Sequence, residues 1–313
     1  MSGLAAPVTV ERTGRRSRTR AGRRRRTSWP LVAVFVLPSL VLYALFMIWP
    51  FVGTLQLSLQ AWDGFAAERT FVGLGNYIAL VNDGAFWNSV SHILIWAVVG
   101  TIGPIAIALP LSILLWSGVR GRLAFRAIYF LPVILPAVVI GLVWGWIYNP
   151  LFGALNAILE GVGLGDLTRG WLGDAGTALY AVLIAAVWSY FGFCVVMFLA
   201  GLQGIDTNLV DAAKVDGANA WQRARHVLLP GIAPVFTFVL TITLVGAFSV
   251  FDIVYVMTRG GPGTATETMA GYAYKMAFGR NFAGYGAAIS AVIAMVSLVL
   301  AVILLRYRER ERR

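Results

Sequence analysis

Six runs of apolar residues, near 31–57, 90–116, 125–148, 178–201, 232–257 and 284–305, limit what this chain can become. Each exceeds the roughly 20 helical residues that cross a hydrocarbon layer about 30 Å thick. Hydrophobic residues are 59% of the sequence and charged ones 12%, about half the charged share of a soluble domain. Lipid offers the backbone no hydrogen-bond partners, so runs of this length are expected to be helices. Pro38, Pro50, Pro104, Pro132 and Pro136 fall within or at the ends of the runs, where kinks are tolerated because neighbouring helices and water satisfy the freed carbonyls.

Charge orients these spans. The formal net charge is +11, but its distribution does not fit a nucleic-acid face. Nine arginines lie between residues 12 and 26, just before the first apolar run, and five follow the last one, from Arg306 to Arg313. With the N-terminus in the cytoplasm, the tail, the C-terminus and the loops carrying Arg120, Arg122, Arg126, Lys214, Arg223 and Arg225 hold twenty basic residues, against five in the loops outside. Positive residues stay on the cytoplasmic side, so the expectation is an all-α membrane protein with six transmembrane helices and both termini cytoplasmic. The basic residues flanking the spans read as topology signals and lipid-headgroup contacts. The expected organisation is an Arg-rich cytoplasmic tail at 1–28, a six-helix permease domain at 29–306 with a cytoplasmic loop at 203–230, and a basic C-terminus at 307–313. The tail precedes a full-length span, not a short hydrophobic core with a cleavage site, and is expected to be retained and disordered.

Several chemistries lack their ingredients. Cys194 stands alone in an apolar run, and His92 and His226 lie far apart, so neither a disulfide nor a metal cluster is expected. No Gly-x-x-x-x-Gly-Lys-Ser/Thr sequence occurs, so the chain is not expected to bind ATP. The glycine-rich turn at 260–264 lacks the lysine and falls on the outer side. The outer loops, about 58–88, 149–177 and 258–283, are too short for a folded receptor domain.

The loop at 203–230 is the most informative segment. Asp206 or Asn208 can cap a short helix running to about Val215. Gly217 supplies a left-handed break. Asn219 with Gln222 three residues on resembles a capping box that opens a second helix, expected to stop before Pro230. Ala212, Ala213, Ala218 and Ala220 keep its surface smooth. The result is a small knob suited to a partner's groove, or a plain connector between spans.

The residues decide for the first. Asp211-Ala212-Ala213, Asp216-Gly217-Ala218 and Leu229-Pro230 resemble the EAA motif of binding-protein-dependent ABC importer permeases, with aspartate at the usual glutamate position. Residues 125–156, 71–77 and 250–262 are similar to segments of the sugar-permease group that includes the maltose and glycerol-phosphate importers. The resemblance implies a type I ABC importer permease fold in the cytoplasmic membrane of a prokaryote, and a transport subunit that is not itself an enzyme. It implies a second permease, a dimer of ATP-binding-cassette ATPases holding ATP and magnesium, and an extracytoplasmic sugar-binding protein as partners, with no nucleic acid. Coupling would run through Asp211, Ala212, Ala213, Asp216, Gly217, Ala218, Leu229 and Pro230.

Aromatic and polar residues in spans four and five are candidates for the substrate path: Trp188, Tyr190, Phe193, Thr243, Ser249, Asp252 and Tyr255, with Ser189 beside them. Matched to the maltose permease's pocket, positions 186, 190, 193, 243, 247 and 250 come closest, and Ala186, Ala247 and Val250 carry no hydrogen-bonding side chain. Asp252 falls in the fifth run, where it is either an unpaired carboxylate held in a span at a cost or a helix-end residue reaching the outer water or a neighbouring Arg. The alternatives are a permease for a non-sugar solute such as a polyamine or phosphate, and an ion-coupled secondary transporter.

Overall fold

A computed structural model describes residues 29–118 and 121–311. The Arg-rich tail expected at 1–28 lies outside the described residues, as does Arg120. The chain divides into two compact units, residues 1–50 and 51–313. The first holds α1 (Trp29–Tyr43), which contains Pro38 and is followed by a π-helical turn at Ala44–Ile48. The chain crosses into the second unit within α2 (Trp49–Ser58).

In the second unit, β1 (Gln60–Ala61) pairs antiparallel with β2 (Thr70–Phe71) as a two-residue ribbon. The helices that follow are α3 (Gly75–Val81), α4 (Gly84–Trp116), α5 (Arg122–Ile134), α6 (Ala137–Ile147) and α7 (Ala154–Gly161). After them come α8 (Ala178–Gln203), α9 (Thr207–Val215), α10 (Ala220–Arg223) and α11 (Leu229–Gly231). The last four are α12 (Ala233–Phe248), α13 (Asp252–Met257), α14 (Met269–Tyr274) and α15 (Ala283–Glu311).

Four helical runs are long and apolar enough to cross a membrane: Ala33–Ser58, Gly84–Trp116, Ala178–Gln203 and Ala283–Leu304. Two bent pairs, Ala124–Ile134 with Ala137–Ile147 at 101° and Ala220–Gly231 with Ala233–Phe248 at 72°, bring the number to six if each pair is one span. The expected kink near Pro132 and Pro136 is thus a sharp corner. Leu135 is extended (ψ 135°) in front of Pro136, the conformation a residue preceding proline prefers.

The fifth run departs from expectation. A single span over 232–257 was expected, but α12 stops at Phe248 and the chain restarts at Asp252 as α13. Asp252 therefore opens a short helix at the surface and is exposed. A carboxylate in a first turn is favoured by the free N–H groups there, which fits the helix-end alternative for this residue.

The core forms around α4 and α8, which run side by side in the same direction. Ile105 and Leu115 share a buried cluster with Phe191, Cys194, Val195, Phe198 and Leu202. Between lipid-soluble helices, hydrophobicity gives little drive to associate, and close packing through small residues takes over. Gly103 sits against Val187, while Ala108, Ala181 and Ala185 are buried. A second cluster joins Ile93 of α4 to Tyr272, Met276 and Ile289 of the α14–α15 region. A third joins Trp96, Ile140, Leu183 and Ile253, drawing α6 and α13 onto the pair.

One glycine sets the fit of α5 to α8. A Cβ at Gly192 would lie 1.8 Å from the Tyr129 carbonyl oxygen. That obstacle is backbone, so α5 must move. We expect Gly192→Ala to lower the stability of the purified protein by about 1–3 kcal/mol, the usual range for overpacking. Gly145→Ala, with nothing within 4 Å, should be neutral or slightly stabilising. Thermal unfolding in detergent compares the two, and equal midpoints would refute the packing argument.

Candidate functional site

The loop after α8 folds as its sequence predicts. Asp206 caps α9, its Oδ1 accepting the Asn208 N–H at 2.9 Å. Gly217 turns the chain with φ +77°. Asn219 and Gln222 form the reciprocal capping box, with bonds of 2.8 and 2.9 Å. The second helix does not stop before Pro230, however. It widens into a π-helical turn at Ala224–Leu228 and continues through Pro230 to Gly231, bending at Ile232. The wide turn spaces the hydrogen bonds so that the Leu229 N–H reaches the Ala224 oxygen.

This loop is anchored and presented rather than loose. Val210, Leu228 and Ile232 are buried in the core cluster with Phe198 and Leu202. Ala212, Asp216 and Gly217 at the tip are exposed, and Ala218 is half-buried. Asp211 is not free: Lys214 Nζ donates to its Oδ1 at 2.8 Å. Leu229 packs against the core, whereas Pro230 is exposed. Leu209, Val215 and Trp221 add exposed apolar surface, Val215 at 88% and Trp221 at 71%. Composition hid them, because each is the non-buried member of an otherwise ordinary amphipathic turn.

Further along α4 and α8, away from this loop, a cavity of about 340 Å³ opens beside α12 and α13. Tyr190, Thr243, Ser249 and Asp252 line it together, with Ser189 among them. Ala186, Ala247 and Val250, the positions reached through resemblance, line it as well. Thr243 donates its hydroxyl to Val239 O at 2.8 Å, which leaves its oxygen to accept. Trp188, Phe193 and Tyr255 are not among the lining residues. Trp188 meets Trp144 edge-on at 5.7 Å, and Phe193 leans on Tyr190 and the core. Tyr255 stacks on Phe251 at 5.1 Å beside a neighbouring cavity.

Sequence reading missed Trp96 and Gly100 of α4 and Ala137 and Ile140 of α6, which complete the wall. The Trp96 side chain is buried and its indole N–H has no protein partner. No local signal marks it, since one tryptophan in an apolar run looks like core.

Asp83 ties the cavity's surroundings together at the end far from the loop. It caps α4, accepting the Ala85 N–H at 2.9 Å. Its Oδ2 also accepts hydroxyls from Tyr272 at 2.5 Å and Tyr285 at 2.6 Å. Burial raises the acid's pKa, but the hydrogen bonds from Tyr272, Tyr285 and the backbone outweigh it and hold Asp83 below its usual value. Burial and the facing carboxylate push Tyr272 up. The depressed acid stabilises the fold above its ordinary pKa of about 3.9, and that contribution disappears only as pH falls through the lowered value. We expect Asp83→Ala to cost about 2 kcal/mol or more through cap and hydrogen bonds. Asp83→Asn should cost less, and wild-type stability should not respond to this group between pH 5 and 8. Thermal midpoints across that range check both.

With these features in place, comparison with known proteins is informative. Residues 105–312 match the family model described as binding-protein-dependent transport system inner membrane component. A probable ABC transporter permease protein of Pyrococcus horikoshii is 34% identical over 277 residues, covering 88% of this chain and 95% of that one. The trehalose/maltose transport system permease protein MalF of Thermococcus litoralis is 33% identical over 273 residues, 87% of this chain and 92% of that one. Among solved structures, a chain of a bacterial ABC transporter involved in import of the acidic polysaccharide alginate shares the fold. It superposes with a TM-score of 0.76 at 22% identity, over 90% of this chain and 95% of that one.

Proposed function

The chain belongs to the family of binding-protein-dependent transport system inner membrane components, and on that premise we propose that it is one permease subunit of an ATP-driven sugar importer. The observation that carries the coupling role is the loop at 204–231: a rigid, core-anchored knob with Gly217 in a left-handed conformation at its exposed tip. Asp211, Ala212, Ala213, Asp216, Gly217 and Ala218 would seat in the ATPase, while Leu229 and Pro230 set the turn that returns the chain to α12. ATP and magnesium belong to that ATPase dimer. Closure of the dimer would draw two such loops together, one from this chain and one from a second permease, and rock the helices between discrete packings. The loop end would face the cytoplasm, as the charge count indicates, and a binding protein would deliver cargo at the Asp83 end.

The cargo reading rests on the cavity and on a relative named for trehalose and maltose. Tyr190 offers a ring face, and Thr243, Ser189, Ser249 and Asp252 offer hydrogen-bonding groups. That mixture of aromatic faces and a few polar groups is how a pocket holds a polyhydroxylated solute.

Deleting the gene in its host tests the cargo. Uptake of labelled glucose, xylose, maltose, trehalose, cellobiose, diacetylchitobiose and raffinose is compared with that of phosphate and amino acids. Loss of one or more sugars is expected, and loss confined to phosphate or amino acids would sink the sugar assignment. Gly217→Trp tests coupling separately. A left-handed tryptophan costs roughly 1–2 kcal/mol of strain and places a bulky ring at the docking tip. Uptake should fall at least about tenfold, while the thermal midpoint of the permease falls by only the few degrees that this strain accounts for. Unchanged uptake and ATPase stimulation would rule this loop out as the coupling element.

A further inference from the structure

We propose that a second, aromatic-walled cleft beside the central cavity is a further carbohydrate subsite, so that the transported solute spans at least two sugar rings. This rests on the sugar reading above and extends it. The cleft encloses about 720 Å³, and Ser249 and Phe251 stand in the walls of both spaces. A solute held in the central cavity would thus lie next to the cleft, with Ser249 and Phe251 at the boundary.

The chemistry of the wall points to a sugar. Phe251 stacks on Tyr255 with ring centres 5.1 Å apart and planes 25° from parallel. Tyr274 packs against both rings at 5.3 Å, and Phe278 continues the row 5.2 Å beyond. Rings built into a core are buried, but Tyr274 is 41% exposed and Phe278 74%. The row therefore presents aromatic faces to whatever enters. The cleft is also lined by Asp63, Asn281 and Ser290. Asp63 Oδ1 accepts N–H bonds from Ala66 at 2.8 Å and Phe65 at 2.9 Å. Those bonds hold its carboxyl below the usual range and keep it ionised.

An ionised carboxylate and a carboxamide in one cleft with a row of rings suit a pyranose, whose C–H face lies on an aromatic ring while its hydroxyls bond the polar groups. A lipid chain would take the rings but bring no hydrogen-bonding groups to meet Asp63 and Asn281. A neighbouring protein helix would be expected to cover rings this exposed with matching apolar side chains. Asp63 and Asn281 in the same space disfavour that occupant.

The test uses the whole transporter in proteoliposomes: this permease with its partner permease, ATPases and binding protein. The one-ring and multi-ring sugars of the uptake panel serve as probes at saturating binding protein. Multi-ring sugars are expected among the cargo. Tyr274→Ala and Phe278→Ala should each slow their uptake on the order of tenfold, the size of a lost aromatic anchor. Tyr274→Phe, which keeps the ring, should stay within about twofold. Cargo restricted to one ring would overturn the proposal, as would wild-type uptake by both alanine variants. Loss of the partner permease from the purified variant complexes would also overturn it, showing the cleft to be a subunit contact. If no sugar is carried at all, the sugar reading itself fails, a result distinct from single-ring cargo.

Discussion

The parallel contact between α4 and α8 is the interaction on which the rest of the second unit depends. α8 is the most deeply buried of the four long apolar helices, and each core cluster contains residues from one or both members of the pair. In a membrane such a contact cannot be driven by removing apolar area from water, so shape must hold it. Glycine and alanine on facing turns let the backbones approach, and larger side chains such as Phe198 and Ile93 fill the space to either side. The ends of this pair carry two further features of the second unit. At one, Val210 and Leu228 fasten the exposed loop onto Leu202. At the other, Asp83 gathers α4, α14 and α15 with hydrogen bonds.

That arrangement explains how a cavity and a loop far apart along α8 can act together. The cavity is bounded by α4, α6, α8, α12 and α13, and three of these meet the loop's anchor cluster directly. In the proposed reading, a push on the loop would reach the cavity through packed helices that have little room to deform, because close-packed interiors shift between arrangements more readily than they stretch. The corner at Leu135–Pro136 and the interruption between Phe248 and Asp252 both adjoin the cavity wall.

Much of this was legible in the sequence, and what was not has physical reasons. Local hydrogen-bond chemistry reads well: Asp206, Gly217, Asn219 and Gln222 each do what their side chain or missing Cβ favours. Pro230 lacks an N–H and so marks a stop in a linear pattern, whereas the widened turn before it leaves the helix able to pass. The corner at Pro136 was marked, but its angle was not, since proline constrains one dihedral and packing sets the rest. The break after Phe248 carries no proline or glycine at all. It follows from where Ile253 and Val254 must lie to reach Trp96 and Leu183, information that a linear pattern lacks. Trp96 was invisible for the same reason.

The cavity residues follow a similar logic. The apolar positions Ala186, Ala247 and Val250 line the same space as Tyr190 and Thr243, so the location of the cavity and its chemistry are separable. Packing of α8 against α12 fixes where a space can exist, and the small side chains at 186 and 247 leave it unfilled. In the proposed reading, which solute enters would be left to the few groups that break the apolar wall. Among these, Asp252 is the most consequential. Its position at the start of α13, rather than inside a continuous helix, lets it stay exposed at the cavity's edge. The interruption of α12 is therefore more than an irregularity of the fifth span. It is what allows a charged group to border the cavity without an ion-pair partner among the described residues.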